Sequence, residues 1–293
     1  MNHLLMFTLA YISEVAHWLT PANFSAQQSD IIARRQEGTG LWLLNSNEYK
    51  MWIEGKEQTL FCPGIPGAGK TVMSSIVVDD LRKTFSDSDR IGISYLFCSY
   101  KRQNEQRSAD LLASLLKQLI QERSELPNVV QDLYKKHSGN KPRPSFDELS
   151  NTLQSVVEDC YSRVFLVIDA LDESTNTSGV RDLLREIFRL QNHIRISLFA
   201  TSRFIPEIER EFDGSLRLEI RASDEDVQRY VEGHMPEQFC VQRNPDMQEK
   251  IKTEIIKAAD GMYVPLKSNL SGLNWLILAQ VSPCKASLRF TKR

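Results

Sequence analysis

The chain has 293 residues, 41% of them apolar, enough for a buried core in one large domain or two small ones. Its 36 basic and 38 acidic side chains nearly cancel, so charge designates neither a nucleic-acid nor a membrane partner. Five cysteines, an odd number without C-x-x-C spacing, argue against a disulfide framework or a zinc site and for a reducing, cytoplasmic setting.

The N-terminal stretch from Leu4 to Ile12 is apolar but has no Lys or Arg before it and no A-x-A-like cleavage site after it. It is too short to span a bilayer and is expected to be helical. Residues 1–57 read as a helical lead-in, with Trp18, Trp42, Leu43 and Trp52 as its packing residues. "QTLFC" (58–62) is a short apolar run of the kind that forms a buried strand.

"GIPGAGKT" follows, with the spacing Gly64-x-x-x-x-Gly69-Lys70-Thr71 of a phosphate-binding loop. Glycine clusters cost conformational entropy and mark places where the backbone itself must touch something. In such a loop the N–H groups of Gly64, Ile65, Pro66, Gly67, Ala68 and Gly69, proline excepted, curl round phosphates, Lys70 neutralises them and the Thr71 hydroxyl ligates Mg²⁺. A glycine-rich turn beside a chance lysine is the alternative. Context favours the site, because Val72, Met73, Ile76, Val77 and Leu81 then recur at helical spacing: strand, loop, helix.

"IGISYLFCS" (91–99) is a second strand, apolar throughout as expected where both faces of a parallel sheet are covered. "ADLLASLLKQLIQE" (109–122) is an amphipathic helix, 136–146 is a loop, and Ser145 with Glu148 forms a capping box for a helix running to about Cys160. "RVFLVIDALDES" (163–174) is an apolar strand that ends in acids. Asp169 follows five apolar residues, where an unpaired carboxylate is expensive, so it is expected to hold a Mg²⁺-bound water; Asp172 and Glu173 are candidate bases. Residue 170 is alanine, so no acid directly follows Asp169, and slow hydrolysis is expected. A helix over 180–191 leads to the strand "RISLFATSR" (195–203), whose Thr201, Ser202 and Arg203 would face the γ-phosphate region, with Arg203 as its sensor or as a solvated surface residue. A short strand at 216–220 and a helix from Ser223, capped by Asp226, follow. Strands alternating with helices give an α/β fold with a parallel sheet covered on both faces.

"GIPGAGKT", "FLVIDALDE" and "LFATSR", with "WLTPANFSAQQSDIIARRQEGTGLWLL" upstream, resemble the NACHT-type signalling NTPases (STAND class) of filamentous fungi, in the region called nephrocystin-3-like N-terminal and often followed by ankyrin repeats. The resemblance covers about residues 16–263. It implies a five-stranded P-loop core of order 5-1-4-3-2, with the sensor strand between the phosphate-loop and metal strands. It further implies a switch that binds nucleotide, opens on ligand binding and self-associates. The expected organisation is lead-in 1–57, core 58–222, helical extension 223–263 and a tail over 264–293 that departs from the family and is poorly ordered, as in a truncated product.

The function expected is ATP binding with slow Mg²⁺-dependent hydrolysis. GTP is disfavoured because "NKPR" (140–143) has arginine where an N-K-x-D motif needs aspartate. The alternative is an inert nucleotide-holding module that associates with full-length relatives.

Overall fold

In a computed structural model of the chain, residues 2–55, 58–101, 107–139, 141–174, 177–234 and 253 are described. They divide into two units. Residues 1–35, 40–65 and 70–220 form the first; 36–39, 66–69 and the described chain from 221 belong to the second.

The first unit is built on five parallel strands: β1 (Thr59–Pro63), β2 (Ile91–Phe97), β3 (Arg163–Asp169), β4 (Ile196–Ser202) and β5 (Leu216–Arg217). Their spatial order is β2-β3-β4-β1-β5, the expected order read from the other edge. The sensor strand β4 accordingly lies between β1 and β3, pairing Pro63 with Ser202 on one side and Ile168 with Ala200 on the other. All seven residues of β4 and all five of β1 are buried, as the unbroken apolar runs require.

Helices α1 (Asn2–Leu19), α2 (Phe24–Ala33), α3 (Leu41–Asn45) and α4 (Asn47–Ile53) precede the sheet. Of the expected packing residues, Trp52 is fully buried on Phe165 and Phe199, with ring centroids 5.2 and 5.9 Å away, and Leu43 is buried, whereas Trp18 and Trp42 are half-buried. Arg163 fastens the same helix: its guanidinium donates to the Ile53 and Trp52 carbonyls at 2.6 and 2.7 Å while lying over the Phe165 ring.

The remaining helices are α5 (Lys70–Thr84), α6 (Ser108–Gln121), α7 (Asn128–His137), α8 (Phe146–Cys160), α9 (Thr177–Gln191), α10 (Pro206–Glu209) and α11 (Asp224–His234). The capping box at Ser145 and Glu148 is present. Helix α7 was not anticipated, and it carries helical backbone to His137, two residues into the expected loop. At α11 the Ser223 hydroxyl accepts from the Asp226 N–H, so Ser223 supplies this cap.

Strand β2 is an edge, and an edge exposes unpaired backbone groups. Gln118 of α6 covers it: its amide oxygen accepts from the Tyr95 N–H at 3.1 Å and its amide nitrogen donates to the Tyr95 carbonyl at 2.8 Å. One side chain thus substitutes for a sixth strand at that position. The expected tail over 264–293 and the rest of the expected extension, 235–263, lie outside the described residues apart from Thr253.

Candidate functional site

The carboxyl ends of β1, β3 and β4 converge at one edge of the first unit, where ligands of open parallel sheets bind. From β1 the chain passes Gly64 and Ile65, then 66–69, then enters α5 at Lys70. Gly64 is required for a reason the spacing did not disclose. A Cβ there would lie 2.5 Å from the Ile220 carbonyl oxygen, and the Ile220 N–H donates to Pro63 alongside. Gly67 and Gly69 have φ of 80° and 91°, left-handed values that glycine adopts without the steric cost of a Cβ.

Lys70 donates from Nζ to the Gly64 and Ile65 carbonyls at 2.8 and 3.0 Å, which holds its ammonium just past the end of β1. Burial pushes the ammonium below its ordinary pKa, opposed by Asp172 and Asp169.

Thr71 donates from Oγ1 to Asp169 Oδ2 at 2.7 Å, joining α5 to the end of β3 across 98 residues of sequence. Asp169 is 1% exposed and has two more hydroxyl donors, Ser74 at 2.8 Å and Thr201 at 2.7 Å, both on Oδ1. Burial raises its pKa; the hydroxyls of Thr71, Thr201 and Ser74 and the charge of Lys70 work the other way.

After Asp169 the chain turns through Ala170 in the left-handed region, φ 54° and ψ 54°, the only non-glycine residue with positive φ among the described residues. Its N–H donates to Thr201 Oγ1 at 2.9 Å, and the Glu173 N–H closes the turn on its carbonyl at 2.8 Å. Alanine's Cβ bears the steric cost of that backbone, which glycine escapes, so these hydrogen bonds rather than residue preference hold the turn.

Thr201 and Ser202 are fully buried, so of the three polar residues expected at the γ-phosphate only Arg203 is exposed there. The Arg203 N–H donates to Asp172 Oδ1 at 2.9 Å and its Nε pairs with Oδ2 at 2.7 Å. Nη2 lies 3.7 Å from Glu173. Arg203 is therefore held by both candidate bases rather than solvated alone. Burial and the Asp172 charge raise the Glu173 pKa, and Arg203 opposes them. Ser74 is the residue that sequence reading missed. Its place three positions after Thr71 puts it on the same helical face, but nothing in the sequence names Asp169 as its partner.

The donor set suits Mg²⁺. One hydroxyl and one carboxylate, both oxygen, are what such a cation takes from a protein when phosphates and waters supply its remaining ligands. No group of three or more His, Cys, Asp or Glu side chains that could hold a metal occurs among the described residues.

A glycine-rich loop between β1 and α5, an acid at the end of β3 and the order β2-β3-β4-β1-β5 define a P-loop NTPase. The model of the nephrocystin 3, N-terminal family matches residues 38–203, more than half of the chain, and the chain belongs to that family. It is 28% identical over 178 residues to the vegetative incompatibility protein HET-E-1 of Podospora anserina, a match that takes in 59% of this chain and 13% of that relative. Among solved structures it is similar to the ORC1 protein of Aeropyrum pernix (15% identity, TM-score 0.47, 84% of this chain and 60% of that one). It is also similar to domain III of the Thermotoga maritima replication initiation protein DnaA (14% identity, TM-score 0.45, 87% of this chain and 91% of that one). With TM-scores below 0.5 the fold assignment rests on the sheet itself. No helix among the described residues is long and apolar enough to cross a membrane.

Proposed function

We propose that the chain is the nucleotide-binding switch domain of a signalling NTPase, binding ATP in preference to GTP and hydrolysing it slowly with Mg²⁺. The observation that carries this reading is the Thr71–Asp169 contact at 2.7 Å, in which Thr71 is the last residue of a stretch that fits the phosphate-binding pattern.

In this reading the N–H groups of Ile65, Gly67, Ala68 and Gly69 face the phosphates, whereas the Gly64 N–H, expected to join them, donates to the Ser202 carbonyl at 3.0 Å; Lys70 exchanges the Gly64 and Ile65 carbonyls for phosphate oxygens. Thr71 and Asp169 would hold Mg²⁺, the first by its hydroxyl and the second through water. When bound, the cation neutralises charge on the phosphates. Glu173 orients the attacking water and takes its proton. Asp172 is less suited, because its side chain is 2% exposed and bonded twice to Arg203. Arg203 senses the γ-phosphate by trading its carboxylates for it, and that exchange releases the acids and turns occupancy into movement. Self-association, and association with longer relatives, would be the output; neither nucleic acid nor membrane is required.

One observation favours a second reading, an inert nucleotide-holding module: Arg203 engages both candidate bases at once. Two measurements test the proposal. Nucleotide released by denaturing the purified protein and resolved on a column should be adenine nucleotide. Phosphate release should then exceed that of a Lys70→Ala control. Binding without release above the control selects the inert module; no binding overturns both.

A further inference from the structure

The two oxygens of Asp169 are used unequally. Oδ1 accepts two hydroxyls, Ser74 from α5 and Thr201 from β4, which fills both of its lone-pair directions. Oδ2 accepts only Thr71 among the contacts described above, and one lone pair remains. The Thr71 proton is turned onto Oδ2, which leaves that hydroxyl's lone pairs for another partner. Ser74 and Asp169 are at most 1% exposed and Thr201 is fully buried, so water does not easily replace a lost donor. Thr201 has a second bond, from the Ala170 N–H, and so fixes both the carboxylate and the left-handed turn that follows it.

We propose that Ser74 and Thr201 are positioning residues for the divalent cation: they pin Oδ1 from two different elements and present Oδ2, together with the Thr71 hydroxyl, to the metal and its water. This inference rests on the proposed nucleotide site. Neither residue touches phosphate or cation. Their effect is confined to how well Asp169 and Thr71 receive the metal, while the loop and Lys70 bind phosphates without them.

The test uses the full chain and a fluorescent ATP analogue, with affinity measured in EDTA and across a Mg²⁺ titration for wild type, Ser74→Ala, Thr201→Val and Thr201→Ser. Ser74→Ala and Thr201→Val are expected to keep wild-type affinity in EDTA within about twofold. Each should raise the Mg²⁺ concentration for half-maximal gain by about tenfold, the worth of one bond to a charged group. Thr201→Ser keeps the hydroxyl and should restore the wild-type requirement. A wild-type Mg²⁺ requirement in both Ser74→Ala and Thr201→Val overturns the inference and leaves the site reading standing. Equal loss in EDTA and Mg²⁺, or failure of serine to rescue, also overturns it, by making the role structural. A wild-type chain with no Mg²⁺-dependent gain overturns the site reading and this inference with it. Should Thr201→Val not fold by circular dichroism, Ser74→Ala decides, because alanine is the best helix former and α5 accommodates it.

Discussion

Asp169 and Asp172 stand three residues apart at the end of one strand, both nearly inaccessible, and they are held by opposite means. Asp169 is held by three neutral hydroxyls from α5 and β4, Asp172 by the guanidinium and backbone N–H of Arg203. Hydroxyl donors orient a carboxylate while leaving its charge available to a cation. An arginine cancels that charge and must move before anything else can use it. The first arrangement suits a fixed ligand, the second a group that exchanges partners. Glu173 belongs to the second set but is looser, with 30% of its side chain exposed and Arg203 only at 3.7 Å.

The sharpest way to separate the two sets is through Glu173. Glu173→Gln should cut phosphate release by about 10²- to 10⁴-fold and leave nucleotide affinity unchanged, because water orientation matters only to the chemical step. The wild-type pH profile carries the same information. Only the carboxylate can take a proton, and burial raises the Glu173 pKa, so turnover should rise with pH through that raised value and level off above it. Arg203 opposes the rise, so Arg203→Gln should move the midpoint further up. If Asp172→Asn rather than Glu173→Gln removes turnover, the two acids have exchanged roles.

Lys70→Ala should weaken ATP binding by about 10- to 150-fold while the circular dichroism spectrum stays the same, since it removes a charge-assisted contact and only two local bonds. Unchanged affinity by calorimetry would falsify the phosphate-loop assignment.

Asp169→Asn probes the hydroxyl-held side. The amide keeps the shape but loses the charge, so the Mg²⁺-dependent part of the affinity should fall about tenfold and the part measured in EDTA should hold. Equal losses under both conditions would remove Asp169 from the metal role.

Much of this arrangement was legible beforehand, because it is written locally. The apolar runs of β1, β3 and β4, the loop spacing and the Ser145–Glu148 box each reside within a dozen residues and follow from periodicity and capping. What escaped is long-range. Ser74 and Thr201 reach Asp169 across 95 and 32 residues, and Gln118 reaches Tyr95 across 23, distances at which no pattern of residue types predicts a hydrogen bond. The close approach of Ile220 to Gly64 is of the same kind. Helix α7 escaped for a different reason: it is short, begins after Pro127 without a side-chain cap, and has only Val130 and Leu133 buried. The left-handed turn at Ala170 is invisible in sequence because alanine carries no preference for it.

The smallest expected effect is on the arginine-held side. Arg203→Gln removes the guanidinium from Asp172, and a buried ion pair that loses one partner can cost several kcal/mol. Here the cost should be nearer 1 kcal/mol, for two reasons. The backbone N–H of residue 203 still donates to Asp172 Oδ1 at 2.9 Å, so the carboxylate keeps one bond whatever the side chain. The Arg203 side chain is also 46% exposed, so water can enter where the guanidinium stood and solvate Oδ2. Urea unfolding of Arg203→Gln and wild type in the absence of nucleotide measures the difference directly. A loss near 1 kcal/mol with an unchanged m-value means that Asp172 tolerates release of its arginine, as a sensor that trades partners requires. A loss above about 3 kcal/mol would mean that the pair is a fixed structural bridge. The contrast with Asp169 would then disappear, and the γ-phosphate would have to be sensed elsewhere.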